Sequence, residues 1–342
     1  MTATTRRAAS LAARVAVVAA ASWFVLRGVN GAVVAATLRH ARPGPLVAVV
    51  ALNALVMAVR AVRLRLLLQG AAGLRACWLA KLTASAMNNV IPLRVGDMAR
   101  LWILQRHARI SKTAAAAIAV VEGLFDLATL GPLALAGAAA LPSQRWAVGV
   151  ALVVGPGAAA LIGLSRGLAQ RPRPSANQTG RWHRALVRAA ARIEPGVRAL
   201  RHRGVIPRVA ATSVLSWAIE VCMVVICARA VHLPIGLGLA AVVLLAINVA
   251  MAVPSSPAGA GAFEGAVVVV LTLAGIGKSP AVAFALLYHL VQVVPVTVAG
   301  TLVVWRAGLT LDRLPANEGP GDRNQPVTSA MARPSQPLRP TV

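Results

Sequence analysis

Long apolar segments separated by short polar ones dominate the hydrophobic pattern of this chain. A segment of about 20 apolar residues is long enough to cross a lipid bilayer as an α-helix. By that rule the sequence predicts about eight transmembrane helices, at 11–29, 45–67, 112–140, 146–164, 209–232, 236–253, 262–277 and 279–305. The pattern therefore predicts an all-α polytopic membrane protein.

Two regions interrupt this pattern with residues that break helices. The stretch 74–108 is less apolar than its neighbours and contains Pro92 and Gly96. The stretch 254–264 contains Pro254 and Pro257 and two glycines before it reaches Glu264. Proline removes a backbone donor, and irregular backbone at membrane depth is tolerated only against protein or a water-filled cavity. We therefore expect re-entrant or broken helices near 74–108 and 254–264.

The composition excludes an ordinary soluble protein. Of the 342 residues, 58% are hydrophobic and 13% are charged, with 35 basic residues against nine acidic ones. A water-facing surface needs charges of both signs, and nine carboxylates cannot supply them. The net charge of +26 does not favour nucleic acid as a partner, because the arginines fall between apolar runs, as the positive-inside rule expects.

The distribution of basic residues predicts the orientation and the domain limits. Ten Lys and Arg residues lie in 60–112 and eleven in 165–208, which places both regions and both termini on the cytoplasmic side of the cytoplasmic membrane. We expect a cytoplasmic N-terminus at 1–10, a transmembrane domain at 11–306 and a disordered cytoplasmic tail at 307–342. The 165–208 loop is either an in-plane helix on anionic lipid or a solvated basic loop.

Most of the acidic residues lie at positions where an ionised side chain is costly in a bilayer. Five of the nine are in or beside the predicted spans: Asp97, Glu122, Asp126, Glu220 and Glu264. An ionised side chain at the bilayer centre costs at least about 2.5–3.5 kcal/mol. The pattern therefore indicates a polar cavity within the membrane, although each acid also has a purely structural interpretation as one half of an ion pair.

Three polar clusters contribute candidate residues to that cavity. In the first, Asp97 follows the break at Pro92 and Gly96 and is predicted to begin a short helix. In the second, Glu122 and Asp126 are four residues apart and share one helix face. Either one of them is protonated or both meet cations, for which Arg94 and Arg100 are the nearest candidates by sequence. The third runs from Asn248 to Glu264. The predicted substrate-binding residues are Asn88, Asn89, Arg94, Asp97, Arg100, Glu122, Asp126, Asn248, Glu264 and Tyr288.

These clusters resemble the signatures of a known family. The run 88–100, followed by Glu122 and Asp126, resembles the first signature of the flippase-like family that shares the lysylphosphatidylglycerol synthase transmembrane region. The stretch 254–264, with the later Tyr288, is similar to the second. The family usually has Glu where this chain has Asp97. The resemblance implies a polytopic inner-membrane protein linked to lipid translocation, with the cargo left open among phospholipids and glycolipids.

The first functional hypothesis is a lipid flippase or transporter that moves a headgroup through the polar cavity. Arg94 and Arg100 would hold a phosphate, the carboxylates would balance cations or carry protons, and the asparagines would donate hydrogen bonds. The alternatives are a lipid-linked transferase and a partner or regulatory subunit of a lipid pathway that docks through 165–208. The sequence contains no catalytic, nucleotide-binding or metal-binding motif, so we expect neither an enzyme nor a cofactor.

Overall fold

The computed structural model describes residues 27–91, 95–108, 112–139, 204–251 and 256–306, together with residues 23, 200 and 202. All regular secondary structure in this part of the chain is helical. It contains α1 (Gly31–Arg39), α2 (Pro43–Leu67), α3 (Leu74–Val90), α4 (Val95–Ala108), α5 (Lys112–Ala139), α6 (Val205–Ala230), α7 (Leu237–Met251), a 3₁₀ turn (Pro257–Gly259), α8 (Ala262–Leu273) and α9 (Lys278–Arg306). The predicted all-α class is confirmed.

Four of these helices are long and apolar enough to cross a membrane: Pro43–Leu67, Ala114–Gly137, Val205–Ala230 and Lys278–Arg306. The helices α7 and α8 are apolar but shorter. At about 1.5 Å per residue neither reaches across a hydrocarbon core of about 30 Å. The predicted spans 11–29 and 146–164 lie outside the described residues, apart from the last few residues of the first, so the count of eight remains a prediction.

Both predicted interruptions are present. The region 74–108 consists of two helices, because α3 ends at Val90 and α4 begins at Val95 and packs back against α3. The second interruption is a 3₁₀ turn over Pro257–Gly259 that is separate from α8. Left-handed backbone at Gly259 and Gly261 (φ 75° and 86°) prevents the helix from continuing through this segment.

The core comprises two clusters of buried apolar side chains. The larger is built mainly from α6, α7, α8 and α9, and includes Trp217, Phe263 and Phe284. The smaller joins one end of α2 to α3, α4 and α5. The helix α2 packs along α6, and α3 packs against both α4 and α9. As a result α3 has neighbours on two sides in the middle of the bundle.

Two glycines allow these neighbours to approach α3 closely. A Cβ atom at Gly96 of α4 would lie 2.0 Å from the carbonyl oxygen of Ala84, and a Cβ atom at Gly300 of α9 would lie 2.4 Å from the Cβ of Ala86. Real Cβ atoms essentially never approach a neighbour this closely. The absence of a side chain at both positions therefore brings α4 and α9 onto α3.

We expect Gly96→Ala to destabilise the protein by about 1–3 kcal/mol, because the new methyl group would force α4 away from the backbone of α3. The control is Gly31→Ala, since Gly31 also lies in the first turn of its helix and has open space around it. Thermal unfolding in detergent measures both variants. Equal melting temperatures for the two would contradict the close contact between α3 and α4.

Candidate functional site

A cavity of about 440 Å³ lies between α3, α4 and α5. We call it the first cavity. Polar side chains make up much of its wall: Lys81, Ser85 and Asn88 from α3, Asp97 and Arg100 from α4, and Glu122 and Asp126 from α5. The i,i+4 spacing of Glu122 and Asp126 places both carboxylates on one face of α5, as the sequence predicts. Charges of both signs therefore meet inside this part of the bundle.

The carboxylate of Glu122 is the centre of this charged group. Its side chain is almost completely buried. It accepts hydrogen bonds from Lys81 of α3, at 3.0 Å, and from the guanidinium of Arg100 of α4. The Nε of Arg63, on α2, lies 3.9 Å from its other oxygen. Because a buried anion needs compensation, a single carboxylate here holds cations from three helices.

The neighbouring Asp126 has a partner of its own. Arg63 is 1% exposed, and two of its nitrogens contact the two oxygens of Asp126 at 2.5 and 2.9 Å. The same guanidinium donates to the hydroxyl of Ser213 on α6 at 2.8 Å. A bidentate pair of this kind fixes direction as well as distance. It links α2, α5 and α6 behind the first cavity.

Asn88 joins the two helices at the break. Its side-chain oxygen accepts a hydrogen bond from the backbone N–H of Gly96 at 2.8 Å, and its amide nitrogen donates to Asp97 at 3.4 Å. Asp97 lies in the first turn of α4, where a carboxylate faces the positive end of the helix. The predicted position of Asp97 is thus confirmed.

A second cavity, of about 270 Å³, lies on the other side of α3. Its polar lining comes from five helices: Asn53 and Arg60 of α2, Ser85 and Asn89 of α3, Glu220 of α6, Asn248 of α7, and His289 and Gln292 of α9. Arg60 pairs with Glu220 at 2.6 Å. Ser85 lines both cavities. The single cavity expected from the sequence is therefore two cavities with α3 as the wall between them.

Glu264 and Tyr288 lie behind the wall of the second cavity. The two oxygens of Glu264 contact the backbone N–H of Gly261, at 2.7 Å, and Nδ1 of His289, at 2.6 Å. Tyr288 is fully buried in the apolar core, where its ring stacks on Phe284 and lies near Phe263. Aromatic packing thus places Tyr288 away from the cavity surface that the sequence predicts for it.

The other predicted residues divide between the two cavities. Asn88, Asp97, Arg100, Glu122 and Asp126 line the first, whereas Asn89 and Asn248 line the second. Asn89 donates to Thr297 at 2.9 Å, and Asn248 donates to a carbonyl of its own helix. Arg94 lies outside the described residues, as does nearly all of the basic loop 165–208.

Sequence analysis missed three cations. Their sequence pattern indicates only a role in membrane orientation for Arg60, Arg63 and Lys81, whereas the structure places all three in ion pairs with acids. Arg63, and not Arg100, forms the bidentate pair with Asp126. A signal was available, because Arg60 and Arg63 lie one turn apart inside a 25-residue apolar helix. Buried cations at such positions need buried acids as partners.

We expect Arg63→Met to destabilise the fold by about 3–5 kcal/mol, because it leaves the Asp126 carboxylate without its bidentate partner. The control is Arg65→Met, two residues along the same helix, where the side chain is exposed. Unfolding of the purified protein in detergent measures the difference. Equal stability of the two variants would show that the Arg63–Asp126 pair does not hold the bundle together.

A known protein family matches most of this chain. The family described as Lysylphosphatidylglycerol synthase TM region matches residues 11–300. No curated protein matches the chain. The match covers most of the 342 residues and includes both broken segments and both cavities. The chain belongs to the lysylphosphatidylglycerol synthase TM region family and is a multi-pass membrane protein associated with lipid metabolism.

Proposed function

We propose that this protein moves the headgroup of a phospholipid or glycolipid across the cytoplasmic membrane through the first cavity. The observation that carries the proposal is the mixed-charge lining of that cavity, within a bundle whose long helices are suited to lipid. In this proposal the chain is a carrier and not an enzyme, both termini are cytoplasmic, and its partners are membrane lipids.

The balance of charge supports a headgroup as the cargo. Lys81 and Arg100 line the cavity and Arg63 lies behind it, against the carboxylates of Asp97, Glu122 and Asp126. Three cations therefore face three anions. A headgroup phosphate can replace Glu122 as the partner of Lys81 and Arg100, and an amine or hydroxyl of the same headgroup can satisfy the released carboxylate. No buried charge then loses all its partners.

The arrangement of pairs suggests which cations take part in binding. Arg63 holds Asp126 with two contacts and also donates to Ser213, so it is a fixed element of the wall. Lys81 and Arg100 instead share one carboxylate. Either of them can turn to a ligand while the other keeps Glu122 paired. Lys81 is the more adaptable, because its ammonium group is a point charge on a flexible stem.

The second cavity supplies the continuation of the proposed path. Ser85 separates the two cavities on α3, and Asn88 and Asn89 follow one turn later, each lining a different cavity. Paired broken segments near the membrane midplane are typical of transporter binding sites. In the proposed route the headgroup passes α3 while its acyl chains stay in the bilayer.

The experiment measures leaflet-resolved translocation of labelled phospholipids and glycolipids in proteoliposomes. We expect Lys81→Met to lower the rate about tenfold, equivalent to about 1.4 kcal/mol. The fold should persist, because Arg100 still neutralises Glu122. Lys81→Arg keeps the positive charge and is expected to retain most of the rate.

Two results would contradict the proposal. The first is a wild-type rate no higher than that of protein-free liposomes for every lipid in the panel. The second is equal translocation by wild type and Lys81→Met, which would remove the first cavity from the path. If instead the wild type is inactive and co-purifies with a partner that requires residues 165–208, the role of regulatory subunit replaces that of carrier.

A further inference from the structure

The side chain of His289 lies between two hydrogen-bond acceptors. Its Nδ1 is 2.6 Å from a carboxylate oxygen of Glu264, and its Nε2 is 3.2 Å from the backbone carbonyl oxygen of Ala258. The ring stacks on Phe263, with 4.3 Å between centroids. This stacking fixes the plane of the imidazole, so both nitrogens keep their partners. His289 also lines the second cavity.

The two contacts together require one titratable proton. A backbone carbonyl never donates, so Nε2 must carry a hydrogen to bond Ala258. A second hydrogen is needed between Nδ1 and Glu264. It belongs either to an imidazolium that faces a carboxylate or to a carboxylic acid that faces a neutral imidazole. In both cases the pair holds one proton more than a neutral histidine beside an ionised glutamate.

The acceptor at Ala258 belongs to a strained turn. Ala258 has φ 52°, in the left-handed region that residues with a Cβ atom rarely adopt. The other oxygen of Glu264 holds the end of the same turn through the N–H of Gly261. The pair therefore holds the turn at two points: His289 bonds the carbonyl of Ala258, and Glu264 bonds the N–H of Gly261.

Among the described residues, the other charged side chains that line the second cavity come from two helices. Arg60 of α2 and Glu220 of α6 line the same cavity and form an ion pair with each other at 2.6 Å. The residues that α3 and α7 contribute to the lining, including Ser85, Asn89 and Asn248, carry no charge, and α1 contributes none of the described lining. The second cavity thus gives the Glu264–His289 pair access to a polar space. The Arg60–Glu220 ion pair in the same cavity carries no net charge.

We propose that Glu264 and His289 form a proton-binding site at the wall of the second cavity, and that the proton held there fastens the turn Ser256–Gly261. Release of the proton to the cavity leaves one hydrogen for two acceptors. Either Ala258 or Glu264 then loses its bond to the ring, so the imidazole no longer links the carbonyl of Ala258 to the carboxylate that holds Gly261. The proposal concerns proton binding and does not depend on which lipid, if any, the protein moves.

The first test follows protonation directly. The full chain is labelled with ¹⁵N-histidine and placed in lipid bilayers for solid-state NMR, where the signal lost in His289→Gln identifies His289. Infrared spectra of wild type and Glu264→Gln identify a carboxylic acid at Glu264. Across a pH titration, we expect one of these two signals to report the release of a single proton. His40→Gln, at an exposed position, is the control and should leave both signals unchanged.

The second test follows the turn. Hydrogen exchange of residues 256–261, corrected for the intrinsic pH dependence of exchange, is expected to speed up about tenfold when the proton is released. Exchange in His289→Gln should not follow the same titration. A neutral imidazole beside an ionised Glu264 over the whole pH range would overturn the proton site. A proton that titrates without any change in exchange of the turn would overturn the role in fastening it.

Discussion

The buried carboxylate of Glu122 is the contact on which the polar part of this bundle depends. Lys81 of α3 and Arg100 of α4 donate to it, and Arg63 of α2 lies nearby while it holds Asp126. Helices α2, α3, α4 and α5 thereby meet at one group of charges. In a medium of low dielectric constant such charges stay where they are unless a ligand of suitable charge replaces a partner. This constraint keeps the charges around the first cavity paired, and under the proposed function it would favour a charged headgroup as the cargo.

The broad architecture could be predicted from the sequence because it depends on local signals. Apolar length predicts the long helices α2, α5, α6 and α9, and proline with glycine predicts the breaks before Asp97 and Glu264. The cost of ionised groups in a membrane singles out the acids. Of these, Glu122, Asp126, Glu220 and Glu264 all pair with a basic side chain in the structure.

The partners of those acids could not be predicted, because they depend on which helices pack together. Arg63 and Asp126 are 63 positions apart, and Arg60 and Glu220 are 160 apart. The apolar helix around Arg60 and Arg63 indicates that both are buried, but nothing local indicates which acid each of them contacts. The division into two cavities has the same origin, since Gly96 and Gly300 place α3 between α4 and α9. Tyr288 shows the converse, because its position in the sequence suggests a polar site whereas its ring packs in the apolar core.

If the charges on α5 face a water-accessible space inside the membrane, adjacent positions on that helix differ in their access to water. Ala119 lines the first cavity, whereas Val120 is exposed on the outer surface of the bundle. Each is replaced by cysteine in a background without the native cysteines, and the rate of modification by a charged thiol reagent is measured in membranes. A thiol reacts as its thiolate, which forms only where water is present. We predict that Ala119→Cys reacts at least about tenfold faster than Val120→Cys. Equal rates or the reverse order would contradict a water-accessible cavity beside α5.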